Sequence, residues 1–325
     1  MDNFRTELTV TPSQPIGHGM RIITSGSCFA DHLGNRLKAN KFTCEVNPFG
    51  ISYNPLALHT QLLISALRNA TPKQELFVQS EGTWRHLLYH SRWAEADRSS
   101  LQRQLENQLQ RVKQLLTQTD LIILTYGTAW SYRHLASGEQ VANCHKLPAR
   151  EFEKLLLSPG QVVESFGALH RKMLELNPAM RFIVTVSPVR HLRDSLELNQ
   201  VSKATLRLAC HHICKQYSQT EYFPAYEIMI DDLRDYRFYE PDMIHPSAVA
   251  IDYIWKKMSD RYFETSTQQL IEKIGSIQQA MAHRPFHPSS PSHQSFLQNL
   301  LTKLLELNTH VDVQEEINQV KSQLI

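Results

Sequence analysis

Two short stretches carry residue types and spacings that can do chemistry. The first is Gly26-Ser27-Cys28, where the apolar run Ile22-Ile23 breaks at a glycine and Ala30, Leu33 and Leu37 then recur at helical spacing. A turn from strand into helix sets its side chains at a helix N-terminus, where unpaired N–H groups and the dipole favour negative charge. A thiol there is expected to ionise more readily, and an oxyanion forming beside it would find donors. The second stretch is Asp242-Met243-Ile244-His245-Pro246. A carboxylate and an imidazole three residues apart suit a tight turn in which one ring nitrogen is held and the other can take a nucleophile's proton. Together they describe acyl transfer. Taken singly they have plainer readings, a glycine turn with an inert buried cysteine and an ordinary loop before a helix.

Cys28 and Ser27 compete for the role of nucleophile. Adjacent turn residues point in different directions, so only one of them is expected to face His245. A thiolate is the stronger nucleophile near neutral pH. Ser27 stays open as the alternative, its plainer role being to cap the helix that begins at Phe29. Asn143-Cys144-His145-Lys146 forms a further constellation. Cys144 and His145 face opposite ways in an extended segment and cannot pair, so His145 or Asn143 is expected to line the pocket. Arg190, His191 and Arg193 could clamp a carboxylate or phosphate, or form a solvated basic loop. Trp130 and Tyr132 could stack on a sugar or fill the core. Cys210-His211-His212-Ile213-Cys214 and the His86/His90 pair look like metal ligands, but they read better as a helix with buried thiols and as a packed aromatic loop. No metal and no cofactor are expected.

The elements that must position these residues alternate along the chain. Apolar strand-like runs at Ile22–Gly26, Thr43–Val46, Asp120–Gly127, Arg181–Pro188 and Tyr226–Ile230 alternate with helical patterns after Phe29, after Pro55, over Leu101–Leu116, over Val162–Leu176 and over Leu196–Tyr217. Such alternation predicts a parallel sheet covered on both faces, with ligands bound beyond the C-terminal strand ends. Those ends carry Gly26-Ser27-Cys28, Asn47–Gly50, Gly127-Thr128 and Ser187-Pro188. Leu8–Thr11 reads as a further short alternating stretch, and 71–98 as an irregular, aromatic-rich insertion. The expected division is an α/β domain over 1–263 and a C-terminal helical extension over 264–325, with a Pro/Ser-rich linker at 284–295. The extension is expected to serve packing or homo-oligomer formation rather than chemistry.

Composition narrows the function classes. The 325 residues carry a formal net charge of +2, which gives no reason to expect a nucleic-acid partner. Met1–Glu7 is polar, with no apolar stretch behind it, so it does not read as a signal peptide, and no run is long enough to cross a bilayer. Five scattered cysteines fit a reducing compartment, and a cytoplasmic protein is expected.

Gly26-Ser27-Cys28-Phe29-Ala30 and Asp242-x-x-His245-Pro246-Ser247 resemble the GSCFA family, which is related to the SGNH (GDSL-type) hydrolases. The likeness extends to Asn47–Gly50, Gly127-Thr128-Ala129-Trp130, Asn143–Lys146 and Ser187–Arg190, and to the stretch 222–245. It implies a flavodoxin-like three-layer α/β/α fold with a mainly parallel sheet, followed by a helical appendage. SGNH hydrolases carry serine at the third position of a Gly-Asp-Ser turn, and the resemblance puts Cys28 at that position. It puts Ser27 at the aspartate position and Asp242 and His245 on the late Asp-x-x-His pair. Gly50 matches the glycine of the oxyanion hole. Where Gly-x-Asn is expected the chain has Gly127-Thr128-Ala129, so Thr128 or Asn143 would have to replace the oxyanion asparagine. The implied function is a hydrolase or acyltransferase acting on an acyl ester or thioester, on a carbohydrate or other small metabolite. The alternatives are an inactive glycan- or acyl-binding protein on the same fold, and a redox-sensing protein using Cys28.

Overall fold

The computed structural model describes residues 6–325, so Met1–Arg5 of the polar N-terminal stretch lie outside the described residues. The described residues form two compact units, one of 6–9, Arg21–Asn35 and Cys44–Lys257, the other of Val10–Met20, Arg36–Thr43 and Met258–Ile325.

The first unit is built on five strands: β1 (Arg21–Gly26), β2 (Thr43–Val46), β3 (Leu121–Tyr126), β4 (Arg181–Val186) and β5 (Thr220–Tyr222). Their order across the sheet is β2-β1-β3-β4-β5, the flavodoxin-like arrangement. The β1–β3, β3–β4 and β4–β5 pairings are parallel, with Gly26 and Thr185 both opposite Thr125. Every residue of β3 is buried, which is why its sequence is a continuous apolar run rather than an alternating one. Ile23, Ile122, Leu124, Phe182 and Val184 pack in one cluster with residues of α2 (Pro55–Ser65), α3 (Arg98–Leu116), α4 (Pro159–Leu176) and α5 (Leu196–Gln216). The opposite-facing Ile22, Ile123 and Ile183 are equally buried. Helices α1 (Cys28–Ala39), joining β1 to β2, and α6 (Ala248–Tyr262) bury Ala30, Leu33, Ala250 and Ile254. The fold is the expected three-layer α/β/α.

Local signals set the helix starts. Asn54 caps α2 with Pro55 in its first turn, and Ser158 and Gln161 close a reciprocal capping box on α4. Three expectations need correction. Tyr226–Ile230 is helical, running from Ala225 through a π-helical turn at Ile228–Asp232, and the fifth strand is Thr220–Tyr222 instead. A short apolar run does not tell strand from buried helix. Leu8–Thr11 belongs to no strand. The 71–98 insertion holds a small antiparallel sheet of Phe77–Ser80, Thr83–His86 and Ala94–Glu95, and a second one forms from Trp130–His134, Gln140–Val141 and Phe152–Leu156.

The second unit contains α7 (Thr265–Ala282), α8 (Pro291–Leu307) and α9 (Gln314–Lys321), packed around Ile274, Leu300, Leu304 and Ile317. Gln278 donates to Ala39 O at 2.6 Å and Lys41 pairs with Glu316, which ties the 36–43 segment into it. No helix among the described residues is long and apolar enough to cross a membrane.

Candidate active site

The corner after β1 needs a glycine. Gly26 has φ +153°, and a Cβ there would stand 2.2 Å from Thr125 O on the neighbouring strand. Its N–H donates to Asn47 Oδ1 at 2.7 Å, while Asn47 Nδ2 donates to Asp31 Oδ1 at 2.6 Å, so the loop after β2 holds the corner from outside. Ser27 is fully buried. Its N–H donates to Thr125 O, and its Oγ accepts the Phe29 N–H at 3.3 Å, so its hydroxyl caps α1. Cys28 opens α1, half-buried, as a free thiol.

Burial dominates the Cys28 thiol and pushes it above its ordinary value. The N–H groups of Cys28 and Phe29 pull it down, Asp31 pushes it up, and the Lys203 ammonium pulls it down, all by less. This corrects the expectation of an easily ionised thiol: desolvation of the thiolate outweighs the helix N-terminus. Cys28 would therefore need a base to take its proton during attack.

The late loop holds an imidazole oriented by a carboxylate. His245 Nδ1 lies 2.7 Å from Asp242 Oδ2, and Asp242 Oδ1 accepts the N–H groups of Ile244 at 2.8 Å and His245 at 3.0 Å. These bonds, that from the His245 ring first, hold the Asp242 carboxyl down at about 2. An ionised carboxylate on Nδ1 fixes the tautomer, leaving Nε2 as the proton acceptor. Met243, at φ +58°, takes the left-handed conformation that lets the turn close. Both side chains of the pair are close to half exposed.

Arg190 holds this loop at the C-terminal end of β4. Its N–H donates to Ile244 O at 3.1 Å, its Nη1 to Met243 O at 3.3 Å, and its guanidinium lies 3.9 Å from the Tyr239 ring centre. It is thus engaged as a strut rather than left free to clamp a substrate anion.

The remaining predicted residues are occupied elsewhere. Gly50 closes a turn by donating its N–H to Asn47 O at 2.8 Å, which takes up the group an oxyanion would need. Thr128 Oγ1 accepts the Trp130 N–H at 3.1 Å and shares a hydrogen with Ser202 Oγ at 3.0 Å. Asn143 donates to Ser91 Oγ and accepts the His145 N–H, and His145 is buried with ring contacts to His86 O and Ser91 Oγ. These bonds tie both residues to the small insertion sheet, where a polar side chain in a folded loop satisfies nearby backbone.

Three site-building residues escaped the sequence reading, all on the first turns of α5. Asn199 Oδ1 accepts the His191 N–H at 2.9 Å, and Ser202 Oγ accepts the Ala129 N–H at 2.8 Å. Lys203 Nζ donates to Gly127 O at 2.8 Å and Ser187 O at 2.7 Å. Each is buried, and together they clamp the loops after β3 and β4. Their i, i+3, i+4 spacing on the buried face of an amphipathic helix was the available signal.

Electrostatics join the two predicted stretches. Lys203, lowered to about 7 by burial, is pushed back up by Cys28. His191, lowered to about 3 by burial first, feels Lys203, Asp194 and His245. Among the described residues no hydrogen bond links His245 to Cys28 or Ser27; what links them is this shared neighbourhood at the C-terminal strand ends. The first stretch offers a thiol near Lys203, and the second an imidazole oriented by a carboxylate near His191.

Comparison with known proteins adds a family. A family model described as the GSCFA family matches residues 21–258, and one described as the GSCFA domain protein, C-terminal domain, matches 274–325. No curated protein matches. Among solved structures, a Streptococcus pneumonia protein provisionally described as a platelet activating factor matches at TM-score 0.39 and 11% identity, covering 76% of this chain and 84% of its own. A carbohydrate esterase family 3 protein from Talaromyces cellulolyticus matches at TM-score 0.36 and 7% identity, covering 79% and 99%.

Proposed function

The chain belongs to the GSCFA family, and from that premise we propose that it cleaves or transfers an acyl group held as an ester or thioester, through Cys28, His245 and Asp242. The observation that carries this reading is the 2.7 Å contact between His245 Nδ1 and Asp242 Oδ2, in a loop anchored at the same end of the sheet at which Cys28 opens α1. A carboxylate-held imidazole whose second nitrogen is free is a general base poised for proton transfer.

In the proposed reaction Cys28 Sγ attacks the acyl carbon while its proton passes to His245 Nε2. The carbonyl π pair moves onto oxygen, and the Cys28 N–H at the start of α1 is one donor facing that charge. Collapse of the tetrahedral species expels the alkoxide or thiolate, which takes the proton back from His245. Water or an acceptor alcohol then attacks the thioester on Cys28, giving its proton to His245; collapse breaks the C–S bond, releases the acid or new ester, and Cys28 Sγ takes the proton back. The raised thiol makes this proton transfer obligatory, since little thiolate stands ready. The half-exposed Asp242–His245 pair suits a substrate with a bulky acceptor, such as an acylated carbohydrate.

A second reading, an acyl- or glycan-binding protein without turnover, draws support from the engaged Gly50 N–H and Thr128 hydroxyl. Release of p-nitrophenol from p-nitrophenyl acetate separates the two. Turnover lost in both Cys28→Ala and His245→Ala is expected; wild-type activity no higher than that of either variant would favour the binding protein.

A further inference from the structure

With Gly50, Thr128 and Asn143 engaged, the oxyanion lacks a side-chain donor. We propose that His191 supplies it, its Nε2–H donating to the oxyanion formed when Cys28 attacks; the proposal rests on the acyl-transfer reading above. His191 follows β4 at the C-terminal edge of the sheet, and its backbone N–H is pinned to the buried Asn199. The ring stands edge-on to Tyr53, with centroids 5.2 Å apart. Tyr53 in turn feels the charge of Cys28, and its carbonyl accepts the N–H groups of Gly127 and Thr128.

The place of Nε2 is specific. A Cβ built on Gly127 would stand 3.2 Å from it, close enough that the ring would have to give by a few tenths of an ångström. Gly127 is the residue that would open a Gly-x-Asn sequence, so His191 Nε2 stands beside the first residue of that stretch. That nitrogen is buried and has no hydrogen-bond partner among the described residues. His59, His86 and His145 are also buried, and both ring nitrogens of each are engaged. His170 Nε2 shares the orphan state but lies on α4 among Phe166, Phe182 and Tyr217, away from the strand ends. A buried donor without a partner is costly unless something completes it, and a developing oxyanion would do so.

The charges around His191 keep it a donor and not a second base. Burial, Lys203 and His245 all disfavour its cation, and only Asp194 opposes them. A neutral imidazole keeps its N–H through the reaction: the thiol proton goes to His245, the π pair goes to the carbonyl oxygen, and His191 contributes only a hydrogen bond.

The test compares wild type, His191→Phe and His191→Asn by acetylation of Cys28 from p-nitrophenyl acetate, read by intact mass and by steady-state kcat and KM. Phenylalanine keeps the ring volume without a donor, and asparagine restores one. A ~100- to 1,000-fold lower kcat in the Phe variant, with KM little changed and at least tenfold recovered by Asn, supports the assignment. A Phe variant as active as wild type, or an Asn variant no better than Phe with both folded by thermal unfolding, overturns it. Wild type that never acetylates Cys28 overturns the acyl-transfer reading, and the donor assignment falls with it.

Discussion

Lys203 is a buried ammonium whose neighbours are backbone carbonyls, and replacing it should change how stability depends on pH. It is 1% exposed, donates to Gly127 O and Ser187 O, and pairs with no carboxylate among the described residues. Burial lowers its pKa from an ordinary 10.5 to about 7. The sign follows from proton counting. Below pH 7 both folded and unfolded chains hold the proton, so the slope is flat. Between about 7 and 10.5 the unfolded chain holds a proton that the folded chain has released, so wild-type stability rises by up to ~1.4 kcal/mol per pH unit. Lys203→Met removes that slope, and it leaves two buried carbonyls unpaired at a cost of about 1–3 kcal/mol each. The stability difference between wild type and variant should therefore widen by roughly 2–3 kcal/mol from pH 7.5 to 9.5. Urea unfolding followed by tryptophan fluorescence measures it, because Trp84, Trp93, Trp130 and Trp255 all lie in the unit that contains Lys203. Contributions from titrating groups that do not feel Lys203 cancel in the difference, and a Cys28→Ser background removes the coupled thiol. A difference equal at pH 6.5 and 9.5 would refute the reasoning, showing Lys203 charged throughout.

Asp242→Asn should lower turnover of p-nitrophenyl acetate by ~10,000-fold through loss of the tautomer that leaves Nε2 basic, and a fall below tenfold would deny the pair its role. The wild-type Asp242–His245 contact should survive mild acid, since a carboxyl depressed to about 2 keeps its pairing until pH falls through that value; a carboxyl ¹³C shift of Asp242 moving near pH 4 would contradict this. Ser27→Ala should cost about 1 kcal/mol of stability as a lost cap while keeping turnover within ~2-fold. A collapse of turnover in that variant, with its fold intact, would move the nucleophile to Ser27. Gly26→Ala should lower stability by more than ~3 kcal/mol, because its Cβ would meet Thr125 O at 2.2 Å; an unchanged urea midpoint would show the corner to be slack.

The sheet was legible where strands are long and fully buried. Leu121–Tyr126 and Arg181–Val186 announce themselves as apolar runs, whereas Thr220–Tyr222 is three residues with a glutamate at its centre and gives no such signal. The Asp242–His245 turn could be read because its partners are close in sequence, and local chemistry decides how they meet. The bonds that Thr128, Asn143 and His145 make were not legible, because whether a polar side chain meets a pocket or nearby backbone depends on loop geometry. The thiol was misjudged for a related reason. A helix N-terminus can be read from sequence, but the degree of burial that outweighs it at Cys28 cannot. Asn199, Ser202 and Lys203 bond to residues up to 76 positions away, a distance that no window along the chain spans.

The most direct measurement is a rapid-quench intact-mass experiment with p-nitrophenyl acetate, followed by peptide mapping of the modified residue. The acyl-transfer account predicts one acetyl group on Cys28, formed in a burst by wild type and turned over, with its formation abolished in His245→Ala. An acetyl group on Ser27 or at scattered lysines, or Cys28 labelled as fast without His245 as with it, would contradict it.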